Sequence, residues 1–281
     1  MDSLVSHPAV QSGIIPFIAA FTVTLVFGKT KPVFMGLAAI AAFLAVVSLV
    51  TGFSLSPLTS TKKIILIAYL ATALGLTVDL AGEKIGSYRK YIHGIFALLS
   101  VIALLWVIWP VISRASTQNP MWIAVGLSAY VAWMTSGISI LQQKKVQISA
   151  AVFAAAMGTA IVSILGATAL YGQLAAPFAA ATGAWLLFFL FASQRAVFPA
   201  SFFLTAISTC AILGAAATVY ATLPWVTLVL FSLIPVVAHI PIKQDNPIWL
   251  KVLKSYIATL VPVLAAIWYT VQQSADSGYY G

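Results

Sequence analysis

The stretch Val78-Asp79-Leu80-Ala81-Gly82-Glu83-Lys84-Ile85-Gly86-Ser87-Tyr88-Arg89-Lys90-Tyr91-Ile92-His93 is where this chain gathers acids, bases and a histidine. It holds two of the five carboxylates and one of the three histidines, and the runs on either side of it are almost pure hydrocarbon. A charged joint between two long apolar runs reads as a loop between membrane-spanning helices, because an apolar run of about 20 residues crosses the hydrocarbon layer as a helix.

The rest of the chain repeats that alternation. Of its 281 residues 62% are hydrophobic and 7% are charged, with a mean hydropathy of +1.06. Soluble domains carry about 25% charged residues, so water cannot solvate this surface and a bilayer must. The apolar runs are continuous, which sets aside the alternating pattern of a β-barrel. The fold class is therefore all-α, a polytopic integral membrane helix bundle. It forms a single transmembrane domain over residues 1–281 with no soluble domain. Residues 1–12 contain Asp2 and no lysine or arginine, the reverse of a basic signal-peptide n-region, so the first apolar run is expected to be retained.

Ten spans are expected, at about 12–28, 32–53, 62–80, 91–113, 120–142, 147–171, 174–193, 198–221, 224–241 and 248–272. Proline and glycine mark most joints. The joint between the sixth and seventh spans, at Tyr171-Gly172-Gln173, carries no charge. An eight-span alternative fuses the sixth with the seventh span and the eighth with the ninth. No similarity between the two five-span halves supports an inverted repeat.

Basic residues divide by loop parity. The odd connections and adjoining helix ends carry Lys29, Lys31, Lys84, Arg89, Lys90, Lys144, Lys145, Arg195, Lys243, Lys251 and Lys254; the even ones carry Lys62, Lys63 and Arg114. Basic residues of short loops stay on the cytoplasmic side, so both termini are expected on the non-cytoplasmic side, in a membrane of the bacterial inner (cytoplasmic) type. Trp106, Trp109, Trp122, Tyr171, Tyr220, Trp225, Trp268 and Tyr269 fall at the outer ends, where amphipathic rings suit the headgroup level. Trp133 and Trp185 lie mid-span and read as packing residues. The net charge of +9 comes from these dispersed cations and forms no stripe, so nucleic acid is not an expected partner. Membrane lipids and other membrane proteins, or further copies of the chain, are.

The catalytic signatures of soluble enzymes, GxGxxG, the Walker loop, CxxC, HExxH and GxSxG, are missing. One cysteine, three histidines and five carboxylates leave little for a metal site, and neither a metal nor a cofactor is expected. Asp79 and Glu83 stand at i and i+4 and share a helix face if the third span continues past Gly82. With His93 they form a candidate for proton or ion handling, since ionisable groups at membrane depth are functional by default. The plainer reading is an anchor at the membrane surface, neutralised by Lys84, Arg89 and Lys90. His93 and His239 sit at similar expected depth and are candidate axial ligands of a b-type haem; the plainer reading is two headgroup-level residues bound to water.

Small residues recur at helical spacing: Ala150, Ala154 and Gly158; Ala179 and Gly183; Ala206, Cys210, Gly214 and Thr218. Such stripes let helix backbones approach closely in lipid. Asp79 apart, no span carries a charge or amide at its middle. Hydroxyls at Thr135, Ser136, Ser139, Ser208 and Thr209 are available for helix contacts or for a polar path.

These features point first to a non-catalytic scaffold or accessory subunit within a larger membrane assembly. A permease for a small neutral or weakly charged solute is the alternative, and a membrane-embedded haem or redox protein the second alternative.

Overall fold

The computed structural model describes residues 7–54, 56–82, 89–114, 120–193, 195–243 and 245–276. Lys84 and Glu83 lie outside the described residues, as do the side chains of Arg89 and Lys90. All of the secondary structure among the described residues is helical. Ten helices follow in order: α1 Val10–Thr30, α2 Pro32–Val50, α3 Ser60–Ala81, α4 Arg89–Ile112, α5 Pro120–Gln143, α6 Lys145–Gly166, α7 Ala169–Phe191, α8 Ala200–Tyr220, α9 Trp225–Ala238 and α10 Ile248–Asp276. Nine of them, all but α9, are long and apolar enough to cross a membrane.

The centre of the bundle is α8. Every residue from Ala200 to Ala217 is buried, the state expected of a helix that is apolar all round. Around it stand α2, α3, α4, α5, α6 and α7; α1 packs outside α2 and α7, and α10 outside α6 and α9. The sequence of α8 suits that position. Alanine, serine, threonine, cysteine and glycine supply most of its inner faces, and small side chains let neighbouring backbones close in where lipid provides no hydrophobic drive. Larger residues fill the remaining gaps: Phe96 of α4 meets the Phe203 ring edge-on at 6.1 Å, and Phe43 of α2 stacks on Phe178 of α7 at 5.1 Å.

Two expected boundaries move. The joint between α6 and α7 falls at Ala167-Thr168, ahead of Tyr171-Gly172-Gln173, and the Thr168 hydroxyl accepts from the Tyr171 amide at 3.4 Å. Gly172 is inside α7, where a Cβ would stand 2.7 Å from the Ala160 carbonyl oxygen of α6. This glycine serves close helix approach, not a turn, which is why it misplaced the joint. Pro177 also lies within α7. The ninth span is the second difference. It is two short helices, Trp225–Phe231 and Leu233–Ala238, interrupted at Ser232. At 1.5 Å per residue its 14 residues reach about 21 Å, short of the roughly 30 Å hydrocarbon thickness.

Even so, α9 runs from one end of the bundle to the other, beside α5 and in the same direction. Trp225 faces Gly126, Trp133 Nε1 donates to the Ser232 carbonyl at 2.8 Å, Pro235 packs on Gly137, and Gln147 at the start of α6 donates to the carbonyl of Ala238 at 2.9 Å. The other cross-helix bonds fit the same alternation. Ser60, Val107 and Tyr220 meet at one end, with the Ser60 hydroxyl donating to Tyr220 Oη at 2.8 Å and Tyr220 donating to the Val107 carbonyl at 2.7 Å. Asp79 and Ala200 meet at the other. Ten alternating helices follow, and the fused eight-helix arrangement does not occur.

Alternation sorts the described cations by end. Lys29, Lys31, Lys144, Lys145, Arg195, Lys243, Lys251 and Lys254 lie at the Asp79 end, called here the basic end; Lys62, Lys63 and Arg114 lie at the opposite end. At that opposite end Trp106, Trp109, Trp122, Trp225 and Trp268 are exposed on the flanks, as an aromatic belt requires, whereas Tyr171 is buried and Tyr220 is tied into the three-helix contact above. Trp249, exposed at the basic end of α10, is a belt residue of the other side that the pattern of aromatics did not bring out. Trp185 is fully buried and donates to the Val197 carbonyl at 2.7 Å.

Candidate functional site

Asp79 is the one carboxylate among the described residues that enters the body of the bundle, and its partners are on α8. That helix begins Pro199-Ala200-Ser201, with Pro199 at the N-cap. A helix start leaves four backbone N–H groups without an intrahelical acceptor, and the proline side chain cannot accept for them. Asp79 reaches across from the last turn of α3: Oδ1 accepts from the Ala200 amide at 2.7 Å, and Oδ2 accepts from the Ser201 amide at 2.8 Å and the Ser201 hydroxyl at 2.5 Å. The next two amides, Phe202 and Phe203, donate to the Pro199 carbonyl at 3.1 and 3.3 Å. Pro199 itself has no N–H, so every donor of the first turn is thus satisfied. A carboxylate at this point also faces the positive end of the helix dipole.

Two glycines let the helices close on this bond. A Cβ on Gly75 of α3 would collide with the Ser201 backbone, and one on Gly36 of α2 with the Ser201 side chain. Asp79, Gly75, Gly36 and Ser201 therefore form one node joining α2, α3 and α8. A bond further along the same interface ties Thr72 to Thr205, hydroxyl to hydroxyl, at 2.9 Å. Of these residues, sequence reading singled out Asp79 alone. The glycines gave no signal because which helices are neighbours is not written in local sequence.

The remaining candidates are placed as follows. Glu83 lies outside the described residues, so the Asp79–Glu83 pairing falls outside them too. His93 Nδ1 is 2.8 Å from the Ser139 hydroxyl of α5, and His239 Nδ1 is 2.7 Å from the Pro235 carbonyl of its own helix. Both lie beside α5: Ser139 of that helix bonds His93, and Pro235, whose carbonyl faces His239, packs against Gly137 of the same helix. No group of three or more histidine, cysteine, aspartate or glutamate side chains able to hold a metal occurs among the described residues.

The small-residue stripes are turned inward. Ala150, Ala154, Ala179, Ala206 and Cys210 are buried. A Cβ on Gly158 would press on Phe231 at 2.9 Å and Val263 at 3.2 Å, one on Gly183 would rest 3.9 Å from Phe17, and one on Gly214 would stand 3.5 Å from Tyr130 Oη. The Thr218 hydroxyl bonds back to the Gly214 carbonyl at 3.2 Å. Several other hydroxyls do the same: Ser136 donates to the Ala132 carbonyl, Ser208 to Leu204, and Thr205 to Ser201.

Open space lies on the flanks. An apolar groove of about 390 Å³ runs between α3 and α4, walled by Leu70, Leu74, Leu99 and Trp106 and floored by Leu204 and Ser208 of α8. A second, of about 350 Å³, continues it past Leu70 and Trp106 towards Phe53. Lys63 crosses this end, donating to the Trp106 carbonyl at 2.9 Å with its ammonium 5.1 Å from the indole centre. A third, of about 460 Å³, lies between α5 and α9 beside Trp133 and Trp225.

Replacing Asp79 by Ala leaves two amides and a hydroxyl unpaired at a helix start. The expected loss is about 2–4 kcal/mol, from the cost of buried unmet donors and of a removed cap. Ser201→Ala removes one bond and is expected to cost about 1 kcal/mol. Reversible unfolding in detergent measures both; equal losses for the two variants would contradict the capping role. Comparison with known protein families, with curated proteins and with solved structures found no match for this chain.

Proposed function

We propose that the protein is a non-catalytic scaffold or accessory subunit that packs within a larger membrane assembly. The observation that carries this reading is the burial of α8. Its side chains, together with those of the helices around it, occupy the middle of the bundle where a transporter keeps its substrate site. The spans place no charge at mid-depth, and the three apolar grooves described above open between helices on the flanks. Connections are short, so contacts with other proteins run through the lateral helix faces.

A second reading, a permease for a small neutral solute, draws on two features. The helix α9 is interrupted at Ser232, as helices around transport sites often are. The hydroxyls of Tyr130, Thr135 and Thr209 are buried without a partner among the described residues. The haem reading draws on less, since His93 and His239 each face a group of the protein through Nδ1, the Ser139 hydroxyl and the Pro235 carbonyl.

For orientation, we propose that the basic end faces the cytoplasm, by the positive-inside rule, with both termini on the other side of a bacterial-type inner membrane. A cysteine introduced as Lys62→Cys should then react with an impermeant maleimide in intact cells, and Lys144→Cys only after permeabilisation. The opposite order would reverse the assignment.

The scaffold reading is tested by the size of the protein's complex, extracted from its native membrane in mild detergent. A stable species of defined stoichiometry with another membrane protein, together with no solute flux in proteoliposomes, is the expected outcome. A strictly monomeric protein that carries a solute would overturn it in favour of the permease.

A further inference from the structure

The basic end holds a second polar recess, separate from the Asp79 node. A cavity of about 250 Å³ opens between the start of α6, the end of α9, the connection that follows it and the first turns of α10. Its apolar walls include Val237 and Ala258, and its polar lining includes Lys243, Asn246, Lys254 and Ser255.

Two of these groups lack a partner that their burial demands. Ser255 is 5% exposed, and neither its hydroxyl nor the buried side-chain amide nitrogen of Asn246 has a hydrogen-bond partner among the described residues. Leaving such a group unbonded costs about 1–3 kcal/mol, so native proteins rarely do it without a ligand, ion or water in place. Both groups can donate. The charged groups on the lining are also donors, and both are cations. Asp245 is next in sequence to Asn246 but is exposed, is not part of the lining, and pairs with neither lysine among the described residues.

Gln147 has a different part. Its amide donates to the carbonyls of Ala238 and Ile240 at 2.9 and 2.8 Å. That clamps the end of α9 to the start of α6 and holds one wall in place before any ligand arrives.

We propose that this recess binds a phosphate-bearing anion, held by the Lys243 and Lys254 ammonium groups, the Asn246 amide and the Ser255 hydroxyl. A phosphate offers three or four acceptor oxygens and up to two negative charges, which suits two cations and two neutral donors better than the two oxygens of a carboxylate. The recess lies where α6, α9 and α10 end, the level at which a leaflet carries its headgroup phosphates. The phosphate can arrive there as a lipid headgroup or as a free anion from the aqueous side. This site does not rest on the scaffold reading.

The test follows thermal unfolding of the detergent-purified protein against inorganic phosphate and, separately, against dihexanoyl phosphatidylglycerol below its micelle concentration. A ligand that binds the folded state raises the unfolding temperature saturably. Stabilisation by at least one of the two is expected; the lipid alone identifies a headgroup site, and inorganic phosphate identifies a soluble anion. The double variant Lys243→Gln/Lys254→Gln should weaken the apparent affinity about tenfold or more, equivalent to one good charge-assisted bond. Lys29→Gln, at the same end but outside the recess, should leave it unchanged. Both recess lysines are exposed, so the double variant is expected to fold, and Ser255→Ala should weaken binding less. No stabilisation by either ligand, or the same affinity in the double variant, would overturn the site.

Discussion

The structure depends on bringing a helix start into a place where water cannot serve it. In lipid an unmet backbone N–H costs several kcal/mol, and α8, being central, has its first turn surrounded by other helices. Asp79 resolves this from a neighbouring helix, and with that bond made α8 can be the axis of the bundle. Gly36 and Gly75 exist at their positions because the bond is short: α2 and α3 must bring their backbones to within contact of Ser201. The membrane-depth carboxylate, the paired glycines and the alanine-rich centre are then one solution to one constraint.

A filled centre has consequences for what such a protein can do. Transporters leave irregular backbone and polar groups around a mid-depth cavity. Here Thr205, Ser208 and Thr218 of α8 turn their hydroxyls back on their own helix, and the irregular backbone of α9 lies to one side, against α5, α6 and α10. The chemistry that remains is gathered at the two ends. At one end Ser60, Tyr220 and Val107 lock three helices together, and at the other the Asp79 node and the Lys243–Ser255 recess lie on different sides of the bundle.

Much of this was legible in sequence, and for a definite reason. The helical membrane class and nine of the ten expected spans follow from hydrocarbon length, which is a local property. The joints at Pro32, Pro120 and Pro224 lie next to helix starts for the same reason. Neighbour identity is not local. Nothing in Val78–His93 says that Asp79 will meet Pro199-Ala200-Ser201, more than a hundred residues on, and Gly172 looks like a turn until α6 is set against it. The break at Ser232 did carry a local signal: Pro235 has no N–H for the Phe231 carbonyl four residues back, and its ring crowds that carbonyl. Lys243 and Asn246 fall in a connection and Ser255 inside a span; only folding lines one recess with them.

The central claim is that the core around α8 is packed shut, and the chain carries its own probe of that. Cys210 is the single cysteine, it sits midway along α8, and it is buried. Its rate of reaction with a small, charged, water-borne thiosulfonate measures water access to the middle of the bundle. In the folded protein the thiol is predicted to stay unmodified on the timescale in which the denatured protein reacts completely. Modification in the folded state at a rate approaching that of the denatured chain would show a water path along α8 and contradict the account.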